Sequence, residues 1–319
     1  MEIMGGIAEN MLDSMENNSR NAGAASESRI VFIVNPVAGT GRCMELFTQA
    51  EAHFKAQNVR YRVLNSEYSG HSVELAKQAI AEGERFIVAV GGDGTVNEVV
   101  SAVYGVPDLT FGILPFGTGN DFASALNIPT DPEAAAALLL EGQVKRCDLG
   151  LANGRVFTNV CGLGFDVDVL QSVEKNKKGK QGMLPYIMGI VGAILHRSRI
   201  GCRIKIDDNE EIAMDALIIT ACNGRRFGGG MLVAPEAKQD DGVFDICIAH
   251  SVGLFRLIGL LPKFVKGKHI DKKPVIYTRG RKITVQTDGE FVCEVDGELI
   301  LKTPLTCEVL PGALPIIRP

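Results

Sequence analysis

The sequence predicts two domains: an α/β domain with a parallel sheet, then a β-rich domain of antiparallel strands packed as a sandwich. Two observations predict this. Between residues 29 and 147, short β-branched runs alternate with segments of helical period. Strand–helix repetition of that kind implies parallel strands covered by helices on both faces. From 148 to about 303, short strands follow one another across turn signals, with few helical stretches between them. The 319 residues leave room for about two domains of roughly 100–200 residues each. Residues 1–28 are polar, without periodicity, and read as a mobile tail; the last segment, about 304–319, is expected to pack back on the first domain.

The elements follow in order. "IVFIV" (30–34) is a β-branched run and reads as a buried strand. In "CMELFTQAEAHF", Met44, Phe47, Ala50 and Phe54 fall on one helical face. "YRVLNS" reads as a strand and "SVELAKQAIAEG" as a helix that Gly83 closes. "FIVAV" (86–90) and "TFGIL" (110–114) are further strands, and "DPEAAAALLLEG" is a helix capped by Asp131 and started by Pro132. In the second domain, Asn153-Gly154 and Asp207–Asn209 mark hairpin turns. Asp288-Gly289 reads as a third, joining "RKITVQ" to "EFVCEV". Helical stretches are expected near 183–196 and 252–268.

Composition excludes several functions. A net charge of −5 lacks the basic footprint of a nucleic-acid binder, so none is expected as a partner. The eight cysteines have neither C-x-x-C nor zinc-like spacing, which fits reduced thiols in a cytoplasmic protein. The N-terminal residues show no basic region followed by an apolar run, so no secretory signal is expected. The longest apolar run, "MLPYIMGIVGAIL" (183–195), contains Pro185 and is shorter than the roughly 20 residues that span a bilayer.

Chemistry concentrates in three loops. "AVGGDGTVNEVV" (89–100) leaves a strand through Gly91, Gly92 and Gly94 and enters a helix, with Thr95 and Glu98 at capping-box spacing. Val96, Val99, Val100 and Val103 form the buried face of that helix. "NPVAGTGR" and "PFGTGNDFA" leave two other strands at the same sheet edge, where open α/β sheets bind ligands. Glycine turns and a free helix N-terminus suit phosphate. No lysine follows Asp93, as it would in a Walker-type loop. A hydrated Mg²⁺ held by Asp93 and Asp121 would supply the missing positive charge. The plainer readings are a turn aspartate at Asp93 and an N-cap at Asp121.

"GGDGTVNEV" (91–99), "NPVAG" (35–39) and "GTGNDFA" (117–123) resemble the nucleotide-binding motifs of the diacylglycerol kinase catalytic family, which includes bacterial lipid kinases and sphingosine kinases. The resemblance implies a first domain like that of NAD kinase and phosphofructokinase, with ATP and Mg²⁺ bound. It places Asn35, Pro36, Val37, Ala38, Gly39, Ser66, Gly92, Asp93, Gly94, Thr95, Val96, Asn97, Glu98 and Thr118 around ATP. At Ser66 the family often has threonine; the hydroxyl is kept. The family's acidic network around Mg²⁺ maps to Asp93, Asp121 and Asp148. A second, structural Mg²⁺ maps to Asp241 and the carbonyls of Lys238 and Val243, in "PEAKQDDGVFDI" (235–246), which otherwise reads as a turn. The bacterial relatives also imply a homodimer.

Phosphoryl transfer to an alcohol needs a group to take the hydroxyl proton. "VDGE" (295–298) resembles the family's D-G-E motif, and Asp296 and Glu298, with Asp93, are the expected catalytic carboxylates; either Asp296 or Glu298 could be the base. Two apolar-basic segments point to a lipid acceptor and peripheral contact with a membrane. One is "EKNKKGKQGMLPYIMGIVGAIL"; the other is "VGLFRLIGLLPKFVKGKHIDKK", with Leu254, Leu257, Ile258, Leu261, Phe264 and Val265 on one face. A core face with a solvated lysine edge is the plainer reading of both. The expected activity is an ATP- and Mg²⁺-dependent lipid kinase, most simply one that converts diacylglycerol to phosphatidic acid. Two alternatives stand: an NAD kinase or other small-molecule kinase with the same GGDG loop, and a nucleotide sensor without turnover.

Overall fold

The computed structural model describes residues 29–176, 199–226 and 231–319. The tail, the expected helix near 183–196 and most of the lysines before it lie outside the described residues. Strands β1 (Ile30–Val34), β2 (Tyr61–Asn65), β3 (Phe86–Gly91) and β4 (Thr110–Pro115) are parallel, in the order β2-β1-β3-β4. Every residue of β1 is buried, as a strand covered on both faces requires. Helices α1 (Cys43–Ala56) and α5 (Pro132–Glu141) cover one face, and α2 (His71–Ala81) and α3 (Asp93–Val103) the other; the five-residue α4 (Asp121–Ala125) joins the core beside α3. Gly83, at φ +94°, ends α2, and the Asp131 side chain caps α5 by accepting from Ala134 N at 2.9 Å.

Two local expectations fail. Met44 is 37% exposed and Cys43 takes its place in the core beside Phe47, Ala50 and Phe54. The capping box at Thr95 and Glu98 does not form. Helix α3 begins three residues earlier, at Asp93 with Gly92 rather than Thr95 as its N-cap, and with no side-chain cap. Thr95 and Glu98 are drawn into tertiary hydrogen bonds instead, which satisfy more distant donors.

The second domain is antiparallel. It runs through β5 (Gln143–Ala152), β6 (Arg155–Phe157), β7 (Val160–Gly164), α6 (Phe165–Asn176), β8 (Ile200–Ile206) and β9 (Ile212–Cys222). It continues through β10 (Phe244–His250), α7 (Leu254–Val265), β11 (Val275–Gly280), β12 (Lys282–Thr287), β13 (Val292–Val295), β14 (Glu298–Lys302) and β15 (Leu305–Arg318). One apolar core, with the stacked rings of Phe157 and Phe244 inside it, fills the sandwich. Strand β15 ties the chain together. It pairs with β5 along its length and with β12 at its start, and near its end Ile316 pairs in parallel with Phe111 of β4.

Asn153-Gly154 forms the expected two-residue turn, with φ of +45° and +87°. Asp288-Gly289 is not a hairpin: β12 pairs with β8 and β15, and β13 with β7 and β14, so the chain crosses between sheet positions there. The hairpin turn is Asp296-Gly297, with φ of +47° and +86°, between the paired residues Val295 and Glu298. On α7 the apolar residues wrap the helix. Leu257 and Leu260 are buried with Leu261 and Phe264 packed beside them, while Ile258 and Val265, expected on that same face, are exposed together with Phe255. All eight cysteines are buried and unpaired. Among the described residues, no helix is long and apolar enough to cross a membrane.

Candidate active site

The three glycine loops meet backbone to backbone beyond the carboxyl ends of β1, β3 and β4. A Cβ on Gly39 would lie 2.4 Å from the Phe116 carbonyl oxygen, and one on Gly117 would lie 2.1 Å from Gly92 Cα. Only glycine permits that approach. Side chains lock it. Asn35 Nδ2 donates to Thr95 Oγ1 at 3.1 Å, so β1's loop is tied to α3. Asn120, in the left-handed region, accepts from Gly117 N at 3.0 Å and donates back to Gly117 O at 3.1 Å. The site lies at the switch in strand order, where β1's neighbours β2 and β3 are reached by connections in opposite directions.

Around this junction the predicted residues divide into two groups. Asp93 opens α3; its Oδ1 accepts from Phe122 N at 3.1 Å. Asp93 Oδ2 and Asp121 Oδ2 approach one point beside Gly119, at 2.8 and 4.0 Å from where its Cβ would stand. Two carboxylates converging beside Gly119 fit a hard cation that keeps waters and takes its other ligands from phosphate oxygens. Gly94 has open space where a Cβ would be, and the first-turn N–H groups of α3 have no helical partner. Pro36, Val37, Ala38, Gly39 and Thr118 border this region on the neighbouring loops, Val37 being 78% exposed. The side chain of Val96 is buried in the core, away from the loops.

Asp148 does not join them. Its Oδ2 accepts from Gly242 N and its Oδ1 from Gly312 N, both at 2.7 Å, so it latches the acidic loop to the bulge in β15. Among the described residues no three acidic, histidine or cysteine side chains cluster as a metal cage. On that loop Asp241 is exposed, with Oδ1 3.4 Å from Val243 N, while Lys238 is also exposed.

About one helical turn along α3 from Asp93, Asn97 and Glu98 line a cleft of about 530 Å³ between the domains. Its opposite wall carries Gly154, Arg155 and Glu298. Glu98 Oε1 accepts from Gly70 N at 2.8 Å and so shapes the loop that holds Ser66. Asn97 is buried and its Oδ1 has no partner among the described residues. Glu298 and Arg155 are each the first residue after a left-handed two-residue turn, and they pair at 2.6 Å.

The D-G-E motif therefore has two distinct parts. Asp296 accepts four hydrogen bonds: from Thr158 N at 2.6 Å, Thr158 Oγ1 at 2.9 Å, Asn159 N at 2.8 Å and Val160 N at 3.0 Å. Its oxygens have no lone pair left for a substrate proton, so Asp296 is a latch rather than a base. Burial pushes its pKa up, against those four bonds. Glu298 is half exposed and faces the cleft. Asp296→Ala is expected to cost about 3 kcal/mol of stability, since it strands buried N–H groups of residues 158–160; Glu298→Ala should cost under 1 kcal/mol, as its ion pair is exposed. Urea unfolding of the two variants checks this, and equal losses would contradict it. Arg155, Asn120's staple and the 158–160 cradle carry no local signal in the sequence, because each acts through backbone groups or a partner over a hundred residues away.

A glycine-lined junction beside a cleft with a half-exposed carboxylate suits a phosphotransferase with an alcohol acceptor. Residues 29–152 match the family model of the diacylglycerol kinase catalytic domain, and 159–318 match that of the YegS C-terminal NAD kinase β-sandwich-like domain. The chain is 29% identical to a diacylglycerol kinase of Mycobacterium tuberculosis over 297 residues, covering 91% of this chain and 95% of the relative. It is 28% identical to a diacylglycerol kinase of Bacillus subtilis over 273 residues, covering 85% and 89%. A crystal structure of a diacylglycerol kinase from Bacillus anthracis superposes with a TM-score of 0.70 at 25% identity, covering 92% of this chain and 97% of that one. The chain belongs to the diacylglycerol kinase catalytic family and is a lipid kinase enzyme.

Proposed function

We propose that this lipid kinase transfers the γ-phosphoryl group of ATP to the free hydroxyl of diacylglycerol, with Mg²⁺, to give phosphatidic acid. The observation that carries this is Glu298, a carboxylate free of structural duty, facing Asn97 and Glu98 across a cleft that adjoins the glycine junction. ATP phosphates would rest on the first turn of α3 and on the Gly39 and Gly117 loops. Asp93 and Asp121 would hold Mg²⁺, which supplies charge neutralisation on the phosphates. Asp241 with the carbonyls of Lys238 and Val243 would take a second, structural Mg²⁺.

In the reaction the lipid oxygen forms a bond to the γ-phosphorus while the bond to the β,γ-bridging oxygen breaks. The hydroxyl proton passes to a Glu298 carboxylate oxygen and ADP leaves with the bridging oxygen. Arg155 holds the Glu298 carboxylate toward the cleft, and the first-turn N–H groups of α3 are fixed donors to developing charge.

The acceptor would be met at a membrane surface. On α7, Phe255 is 90% exposed, Ile258 50% and Val265 45%, and Arg256, Lys263, Lys266 and Lys268 are exposed on the helix and just past its end. An exposed apolar stripe with a basic fringe suits an anionic bilayer. The double substitution of Phe255 and Ile258 by Glu is expected to lower activity on long-chain diacylglycerol in anionic vesicles at least about tenfold, with activity on a soluble short-chain diacylglycerol kept. Equal loss on both acceptors would contradict the membrane role.

A further inference from the structure

Behind the Glu298 hairpin lies a second pair of carboxyl groups. Glu294, on β13, is fully buried. Its Oε2 accepts from Gly297 N at 2.8 Å, and its Oε1 is buried without a partner among the described residues. Asp166, at the start of α6, is also buried. Its Oδ1 accepts from Val167 N at 2.9 Å, and its Oδ2 is likewise unpartnered.

The sheet brings the two carboxyl groups to one face. Glu294 stands directly opposite Gly162 in the antiparallel β13–β7 pair. A side chain at 162 would share the face of Glu294, with the two Cβ atoms roughly 5 Å apart. Gly162 has none, and a Cβ there would fall 2.7 Å from Asp166 Oδ2. The Asp166 carboxyl thus fills the space that Gly162 leaves, beside Glu294. On its other side Asp166 borders an apolar cavity of about 70 Å³, with Phe165, Val169, Leu217, Leu257 and Leu260 in its wall. Two carboxylates cannot both stay ionised this close in so dry a place.

We infer that Asp166 and Glu294 share one proton and together position Glu298 by holding the Asp296-Gly297 turn from behind. Asp166 lies in the first turn of α6, where the helix favours negative charge. Glu294 therefore carries the proton and donates it from Oε1 to Asp166 Oδ2, which satisfies both orphan atoms. Gly297 N then has a fixed acceptor, and Glu298 follows it in register. Burial pushes both carboxyls up; the charge of Asp166 pushes Glu294 further, and that of Asp168 pushes Asp166. The other groups facing the pair are acids or thiols: Asp168 on α6, Cys161 on β7, Cys222 on β9, Cys293 on β13, Asp296 in the turn after it, and Cys307 on β15. The positioning half of this inference rests on Glu298 being the base; the shared proton does not.

The test uses the full chain with Glu294→Gln, Glu294→Ala and Glu298→Gln. Infrared difference spectra at neutral pH should show a protonated carboxylic acid in the wild type and in Glu298→Gln, lost in Glu294→Gln. A carboxyl raised by folding loses its stabilising effect as pH climbs above its unfolded value. The melting temperature of Glu294→Gln should therefore gain on the wild type from about pH 4.5 upward. Glutamine keeps both hydrogen bonds, so kcat should stay within about threefold, whereas Glu294→Ala should lose about 10- to 100-fold in kcat at unchanged KM for ATP. No protonated carboxyl in the wild type, or a pH-independent melting offset, would overturn the shared proton. Equal kcat losses in Glu294→Gln and Glu294→Ala would overturn the positioning role. Full activity in Glu298→Gln would remove the base assignment, and with it the positioning role, while the infrared band still reports on the pair.

Discussion

Glu298→Gln is expected to lower kcat about 10²- to 10⁴-fold, the usual range for a lost general base, with Mg·ATP binding unchanged. Glutamine keeps the size of the side chain and a hydrogen bond to Arg155, but it cannot take the hydroxyl proton. The fold should be untouched, because among the described residues the Glu298 carboxylate pairs with Arg155, at 2.6 Å, and both are exposed by more than 40%. Arg155→Gln, by contrast, leaves the base present but unheld, so a smaller loss in kcat is expected from it. Single-turnover transfer and calorimetric ATP titration separate the two effects. A Glu298→Gln enzyme that loses ATP affinity rather than turnover would show that the carboxylate serves binding.

The second large effect is a contrast between two glycines of the phosphate junction. In Gly117→Ala the new methyl would meet Gly92 Cα at 2.1 Å, and the obstacle is backbone, which cannot rotate away. Overpacking of this kind costs about 1–3 kcal/mol or more, and both melting temperature and ATP affinity should fall. Gly94→Ala meets nothing within 4 Å. Alanine is also the better helix former by up to about 1 kcal/mol, so the melting temperature should hold or rise. ATP affinity should still fall at least about tenfold, because a phosphate that approaches the α3 N-terminus needs the space a methyl would take. Thermal melts with calorimetric titration check both; Gly94→Ala with wild-type ATP affinity would show that the phosphates lie elsewhere.

Much of the first domain was legible because its signals are local. The β-branched runs 30–34, 86–90 and 110–114 became buried parallel strands, and Asp131, Pro132 and Gly83 punctuated helices as their chemistry dictates. What escaped was tertiary. Thr95 and Glu98 have capping-box spacing, yet Asn35 and Gly70 compete for their oxygens and win. Asp288-Gly289 and Asp296-Gly297 are the same dipeptide, and only sheet order tells which one turns a hairpin. Asp148 looked like a metal ligand, but two backbone N–H groups from loops 94 and 164 residues away in sequence occupy its carboxylate. The division of labour in D-G-E was likewise invisible until the 158–160 segment was seen to saturate Asp296. Residue types announced the chemistry; which oxygen stays free is set by partners far off in the chain.

The most direct measurement incubates the wild-type protein and Glu298→Gln with γ-labelled ATP, Mg²⁺ and mixed micelles of diacylglycerol, with NAD offered as a parallel acceptor. Label in an organic-soluble product that co-migrates with phosphatidic acid, lost in Glu298→Gln, is the expected result. Label in NADP, or none in lipid while ATP stays bound, would contradict it.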